Sequence, residues 1–141
     1  PEVHRLDANG THRILRWTPD PEPVTPAEVE AFLNQQRNAS WTQDRLPQLE
    51  RQWAAMEVPS HKPLVTLAHP ALDGSTWVRP GQYGPGPTTW RVFAADGAWL
   101  GSVELPGTFR PTEIGADYVL GVDTDPETEV ETIAMFEVVK P

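Results

Sequence analysis

The stretch RVFAADGAWLGSVELP, residues 91–106, decides how this chain is read. Two runs rich in apolar and β-branched residues flank Asp96-Gly97, a pair that tolerates the positive φ angles of a tight hairpin turn. The stretch therefore predicts a strand, a turn and a second strand. Residues 4–17, HRLDANGTHRILRW, repeat the plan around Asn9-Gly10, with strands predicted over 3–6 and 11–17. Residues 133–141, IAMFEVVKP, have the form of the first half of the same unit.

Working outward, residues 25–57 break the pattern. Thr25-Pro26-Ala27-Glu28 has the form of a capping box: Thr25 caps, Pro26 suits the first helical position and Glu28 reaches back. Val29, Phe32 and Leu33 recur at helical spacing. A second helix is predicted over 42–56, with Leu46, Leu49, Trp53 and Met56 on one stripe. Pro47 falls in its first turns or marks its start. From Pro63 the strand pattern returns as seven short segments, punctuated at Asp73-Gly74, the PGQYGPGP loop, Asp96-Gly97 and Ala116-Asp117. Segments such as YVLGV (118–122) are apolar at both parities, as in a strand covered on both faces.

Superposing the hairpins sets Leu6 over Phe93 and Gly10 over Gly97, and residues 64–79 align with 110–122, Thr66 over Thr112. Without the helical stretch the hairpins recur after 54 residues, and Phe93 recurs at Phe136 after 43, against the roughly 40–50 residues and four short strands of a propeller blade. Residues 90–122, WRVFAADGAWLGSVELPGTFRPTEIGADYVLGV, resemble the C-terminal portion of bacterial six-bladed β-propellers of the NHL-like type. The resemblance rests on Val92-Phe93, Gly97, Leu100-Gly101, Val103, Leu105-Pro106, Phe109-Arg110, Glu113-Ile114-Gly115 and Asp117 to Val122. It weakens upstream, where Asp73-Gly74-Ser75-Thr76-Trp77-Val78 shortens the usual blade pattern.

The resemblance implies an all-β partial propeller with a helical insertion, about two antiparallel four-stranded blades in one domain, 1–141. Residues 1–24 would be the outer hairpin of a preceding blade and 25–57 the insertion. Residues 63–106 would form a complete blade and 107–141 three strands of a final one. A closed six-bladed ring takes about 250–300 residues at this period, so the expectation is a fragment. Its partners would be the missing N-terminal blades or other copies of itself, and its compartment periplasmic or secreted. No signal peptide is visible in the chain.

Composition narrows the function. With 38% hydrophobic residues and six Trp the chain can build a core, and 16 Pro with 10 Gly fit many short elements. A net charge of −9 argues against nucleic acid, whose phosphates demand a Lys/Arg footprint. There is no Cys, hence no disulfide or thiolate metal site. No apolar run reaches the length of a membrane span.

Candidate chemistry is sparse. His4 and His12 flank the Asn-Gly turn and face each other across it, with Asp7 the nearest carboxylate. Two imidazoles without a convergent carboxylate are a weak metal signal, so they read as exposed polar residues. His61 and His69 read as loop and strand residues. The acidic run 123–132 lacks the spacing of a Ca²⁺ loop and reads as a solvated hairpin tip. Trp77, Trp90 and Trp99 read as packing between sheets. Arg79, Gln82 and Tyr83, on a loop long for a hairpin, form the candidate binding site. No catalytic residue, metal site or cofactor is assigned, and the ligand is left open. The favoured function is a non-catalytic ligand- or protein-binding scaffold. The alternative is part of a lactonase-like hydrolase with a channel metal, for which Glu113 and Asp117 are the candidates the resemblance offers.

Overall fold

A computed structural model describes residues 1–6, 9–84 and 86–139, apart from the side chains of 40–42. The fold is mostly β with two helices. Strands β1 (Glu2–Leu6) and β2 (His12–Arg16) form a two-stranded sheet. Helices α1 (Pro26–Asn38) and α2 (Leu46–Ala54) follow, joined by a 3₁₀ turn over Ser40–Arg45. Then come β3 (Leu67–Pro70), β4 (Thr76–Arg79), β5 (Thr88–Phe93) and β6 (Trp99–Leu105) in one sheet. A third holds β7 (Phe109–Ile114), β8 (Tyr118–Thr124) and β9 (Glu131–Glu137). Each sheet is an antiparallel meander in chain order.

The sheets hold two, four and three strands, in the order the strand and turn pattern predicts. The sheets stay open, however: among the described residues none closes on itself, and they do not make a propeller ring. The turn at Gly97 has the expected positive φ of 92°, and Gly10 one of 79°. Asp7 and Ala8 of the first turn lie outside the described residues. The second helix starts later than predicted. Pro47 lacks the N–H that an interior helical position must donate, so it sits in the first turn of α2 and the chain before it winds as 3₁₀. Leu46, Leu49 and Trp53 are half-buried as the stripe requires, but Met56 lies beyond the helix and is exposed.

The helices leave and rejoin the sheets at one point. Pro23 and His61 form an isolated antiparallel bridge, with Val24 N–H donating to the Ser60 carbonyl (3.1 Å) and Lys62 N–H to that of Glu22 (2.8 Å). Residues 25–57 are thus an excursion with its two ends zipped together. The capping box of α1 is present: Glu28 N–H donates to Thr25 Oγ1 (3.3 Å), and Thr25 N–H to Glu28 Oε2 (3.0 Å).

The core lies between the second and third sheets. Trp77, Trp90, Val92 and Leu105 meet Phe109, Ile114 and Val119, with Ala134 and Phe136 of β9 packed against them. Trp90, Ile114 and Val119 are fully buried. Both buried indoles keep a partner, Trp77 Nε1 donating to Ser75 Oγ and Trp90 Nε1 to Thr88 Oγ1. Trp99 differs from the expectation. It sits after the irregularity at Val92/Phe93, edge-on to Phe93 at 5.5 Å, and is 56% exposed.

The first hairpin packs on the other face of the four-stranded sheet. Trp17 lies 5.2 Å from Phe93, and two arginines clamp the turns: Arg5 donates to the Gly74 and Ser75 carbonyls, Arg13 to that of Ala95 (2.8 Å). The three sheets therefore stack in series.

Trp90→Ala empties the centre of the seam and is expected to cost about 3–5 kcal/mol, read from chemical denaturation. A loss under about 1 kcal/mol would place the core elsewhere.

Candidate ligand-binding groove

The connection from β4 to β5 spans residues 80–87. It is folded back onto the sheet at one end and onto α1 at the other. Gly81 N–H donates to the Pro63 carbonyl at 2.7 Å, so close that a Cβ on Gly81 would lie 2.4 Å from Pro63 Cδ. Tyr83 meets Phe32 of α1 edge-on, with ring centroids 6.0 Å apart. Gly84 has φ 85°, and its missing Cβ leaves room for Ala31. On the far side, a Cβ on Gly107 would collide with the Gly86 carbonyl oxygen, so that glycine lets the β6–β7 turn close against the loop.

Two grooves result, one on each side of the loop. The first, 540 Å³, runs between the loop and α1 and is lined by Tyr83, Gln82, Glu28 and Lys62 among others. The second, 520 Å³, lies toward the β6–β7 turn and includes Arg79, Gln82, Thr66 and Thr108. Both fall in the range of small-ligand sites. The three residues expected from sequence are thus divided: Gln82 borders both grooves, Tyr83 the first and Arg79 the second. Arg79 is held in place, its guanidinium 5.7 Å from the Trp90 ring centroid and its Nε donating to Thr66 Oγ1 at 3.4 Å.

The sequence reading missed the charges of the first groove. Lys62 Nζ lies 2.6 Å from Glu28 Oε1 and 3.3 Å from Glu22 Oε2, and Arg91 Nη2 is 3.8 Å from Glu22 Oε1. Hydrogen bonding from Lys62 first, then from the Thr25 backbone and hydroxyl, holds Glu28 down to about 2. The same bond to Glu28 raises Lys62 above its ordinary value, against the effect of burial. The groove floor therefore carries two cations and two carboxylates in mutual pairs, and its lysine stays protonated at neutral pH. It suits polar recognition rather than nucleophilic chemistry. Glu28 was legible only as a helix cap. Glu22 and Lys62 become neighbours because the ends of the helical excursion pair.

The remaining candidates are elsewhere. Glu113 Oε1 accepts from the Tyr118 hydroxyl at 2.6 Å, which raises the phenol above its ordinary value. Asp117 follows β7, its carbonyl accepting from Val138 N–H. Among the described residues no three His, Asp or Glu side chains converge to hold a metal. In the acidic run, Asp125 Oδ1 accepts from the Glu127 and Thr128 backbones, which lowers its pKa and folds the hairpin tip on itself. His61 pairs with Ser60 Oγ, and His69 lies against the Pro70 and Thr112 carbonyls.

Among the described residues no helix is long and apolar enough to cross a membrane. Comparisons with family models, with curated proteins and with solved structures find no match to this chain.

Two predictions concern the groove. Glu28 is depressed in the folded chain, so its stabilising contribution is present above its ordinary value of 4.5 and is lost as pH falls from there toward 2. Lys62→Met removes the largest cause. The fall in Tm between pH 4.5 and 2 should become shallower and the Tm at neutral pH lower. Unchanged acid limbs would show the pair to be energetically idle. Gly81→Ala is expected to cost about 1–3 kcal/mol by overpacking against Pro63, measured by denaturant melting. A neutral result would mean that the loop is not anchored there.

Proposed function

We propose that the chain is a non-catalytic scaffold of stacked β-sheets, a propeller-like segment that takes up further sheets on its β7–β9 face. In this reading it presents a ligand or protein site at the loop over residues 79–87. The observation that carries the reading is the outward face of the third sheet. Side chains alternate along a strand. Ala134 and Phe136 of β9 turn in to the core, so Ile133 and Met135 turn out and are 83% and 68% exposed. Their cross-strand partners Val122 and Leu120 are on the same outward face, half-buried. A sheet apolar on both faces is built to be covered on both, and among the described residues nothing covers the outward one.

The occupant that fits is another β-sheet. Within the chain, the four-stranded sheet already receives sheets on both of its faces. The strand β9 also presents an unpaired edge, an invitation to strand addition. The meander order and the spacing of the repeat support a propeller as the architecture being extended, with missing blades of the same protein or a second copy as the cover.

Sedimentation velocity over a range of concentrations tests this. The chain should self-associate, and Ile133→Glu/Met135→Glu should yield a monomer with an unchanged circular dichroism spectrum. A parent chain that stays monomeric throughout, with a sharp cooperative melt, would overturn the reading.

A further inference from the structure

The outward face of the first hairpin is of a different kind from that of β7–β9. Cross-strand pairing sets Glu2 opposite Arg16, His4 opposite Ile14 and Leu6 opposite His12. His4 and His12 are therefore diagonal neighbours on one face. His4 Nδ1 lies 3.0 Å from His12 Nε2, the ring centroids are 5.1 Å apart and the planes are inclined by 32°. The other nitrogen of His4, Nε2, is 2.8 Å from Glu2 Oε1, while Glu2 Oε2 accepts from Arg16 Nε at 2.9 Å. Each ring is largely exposed.

This is the arrangement of a bidentate imidazole ligand with its supporting carboxylate already in place. Ligating histidines commonly donate their second ring N–H to a carboxylate, which fixes tautomer and orientation and raises basicity. Glu2 does this for His4, and Arg16 in turn fixes Glu2. With Glu2 accepting from Nε2, the neutral His4 ring presents a lone pair at Nδ1. His12 Nε2 donates its N–H to that lone pair, so a single proton joins the two nitrogens. Glu2 does not converge with the two donor nitrogens but supports His4 from the ring nitrogen away from His12.

Imidazole nitrogens suit Cu²⁺, Ni²⁺ and Zn²⁺, and among these Cu²⁺ has the highest affinity. Two imidazoles with water in the remaining positions fit the tetragonal nitrogen–oxygen coordination of Cu²⁺ and Ni²⁺.

We propose that His4 Nδ1 and His12 Nε2 chelate a divalent copper or nickel ion at the surface of the β1–β2 hairpin, with Glu2 as positioning residue and water in the remaining positions. The ion takes the place of the proton between the two rings: His12 coordinates as its neutral Nδ1–H tautomer, so that proton moves to Nδ1 and none is released in net. The metal remains divalent and no other bond in the protein is broken.

The test is titration of the tag-free full chain with CuCl₂ alone, followed by calorimetry and by electron paramagnetic resonance. One Cu²⁺ should bind per chain, with hyperfine structure from two imidazole nitrogens. His12→Ala and His4→Ala should each lower the affinity at least tenfold and leave a single imidazole nitrogen in the spectrum. Glu2→Gln should weaken binding by about tenfold with both nitrogens retained, a pattern that loss of a ligand would not give. His61→Ala and His69→Ala should leave the affinity and the spectrum unchanged. Circular dichroism melts establish that each variant is folded. The proposal is overturned if His4→Ala and His12→Ala bind Cu²⁺ as the parent does, or if the two-nitrogen signature follows His61 or His69.

Discussion

The seam between the four-stranded and three-stranded sheets carries the rest of the structure. It is where large aromatic side chains are removed from water: Trp77 and Trp90 from one side, Phe109 and Phe136 from the other, with Ile114 and Val119 between. Burying an aromatic side chain of this size is worth a few kcal/mol, more than any exposed ion pair on the molecule. Backbone bonds stitch the same seam, Leu72 N–H donating to the Ile114 carbonyl at 2.8 Å. Gly121 has a packing reason to be glycine: a Cβ there would fall 2.6 Å from the Phe109 ring. Phe109 is thereby free to lie across β8 and meet Phe136 edge-on at 4.8 Å.

The periphery hangs on this seam by weaker ties. The first hairpin is held by two arginines on turn carbonyls and one aromatic contact. The helical excursion is held by its zipped ends, by Lys62 between Glu22 and Glu28, and by Tyr83 against Phe32. Most of these groups keep contact with water, though Phe93 beneath Trp17 is buried. The proposed sites lie on this periphery: a loop with grooves on either side and a hairpin with two imidazoles in contact. A rigid seam with adaptable attachments is a common division between scaffold and site.

Much of the fold was legible because its signals are local. Asp96-Gly97 and Asn9-Gly10 specify tight turns through backbone sterics, and Thr25 to Glu28 specify a helix start through two hydrogen bonds. The meander order followed from those turns. The start of α2 was less clear, since Pro47 is compatible with two beginnings and only packing chooses. The imidazole pair was legible from the Asn-Gly turn, whereas the groove charges and the role of Glu2 were not. Glu22 and Lys62 are 40 residues apart in sequence, and Glu2 meets His4 because residues two apart share a face of β1, while the register brings Arg16 opposite Glu2. Apolar residues at both parities of β8 announced two covered faces, and the described residues cover one of them.

Hydrogen exchange resolved along the chain tests the central claim, that one inter-sheet seam is the cooperative core to which all else is attached. Amides of Thr88–Phe93 and Tyr118–Thr124 should exchange slowest and with a common free energy of opening, while Glu2–Leu6, His12–Arg16 and the helices open more readily. Independent exchange of the two central strands, or protection of the hairpin or helices that outlasts theirs, would contradict the account.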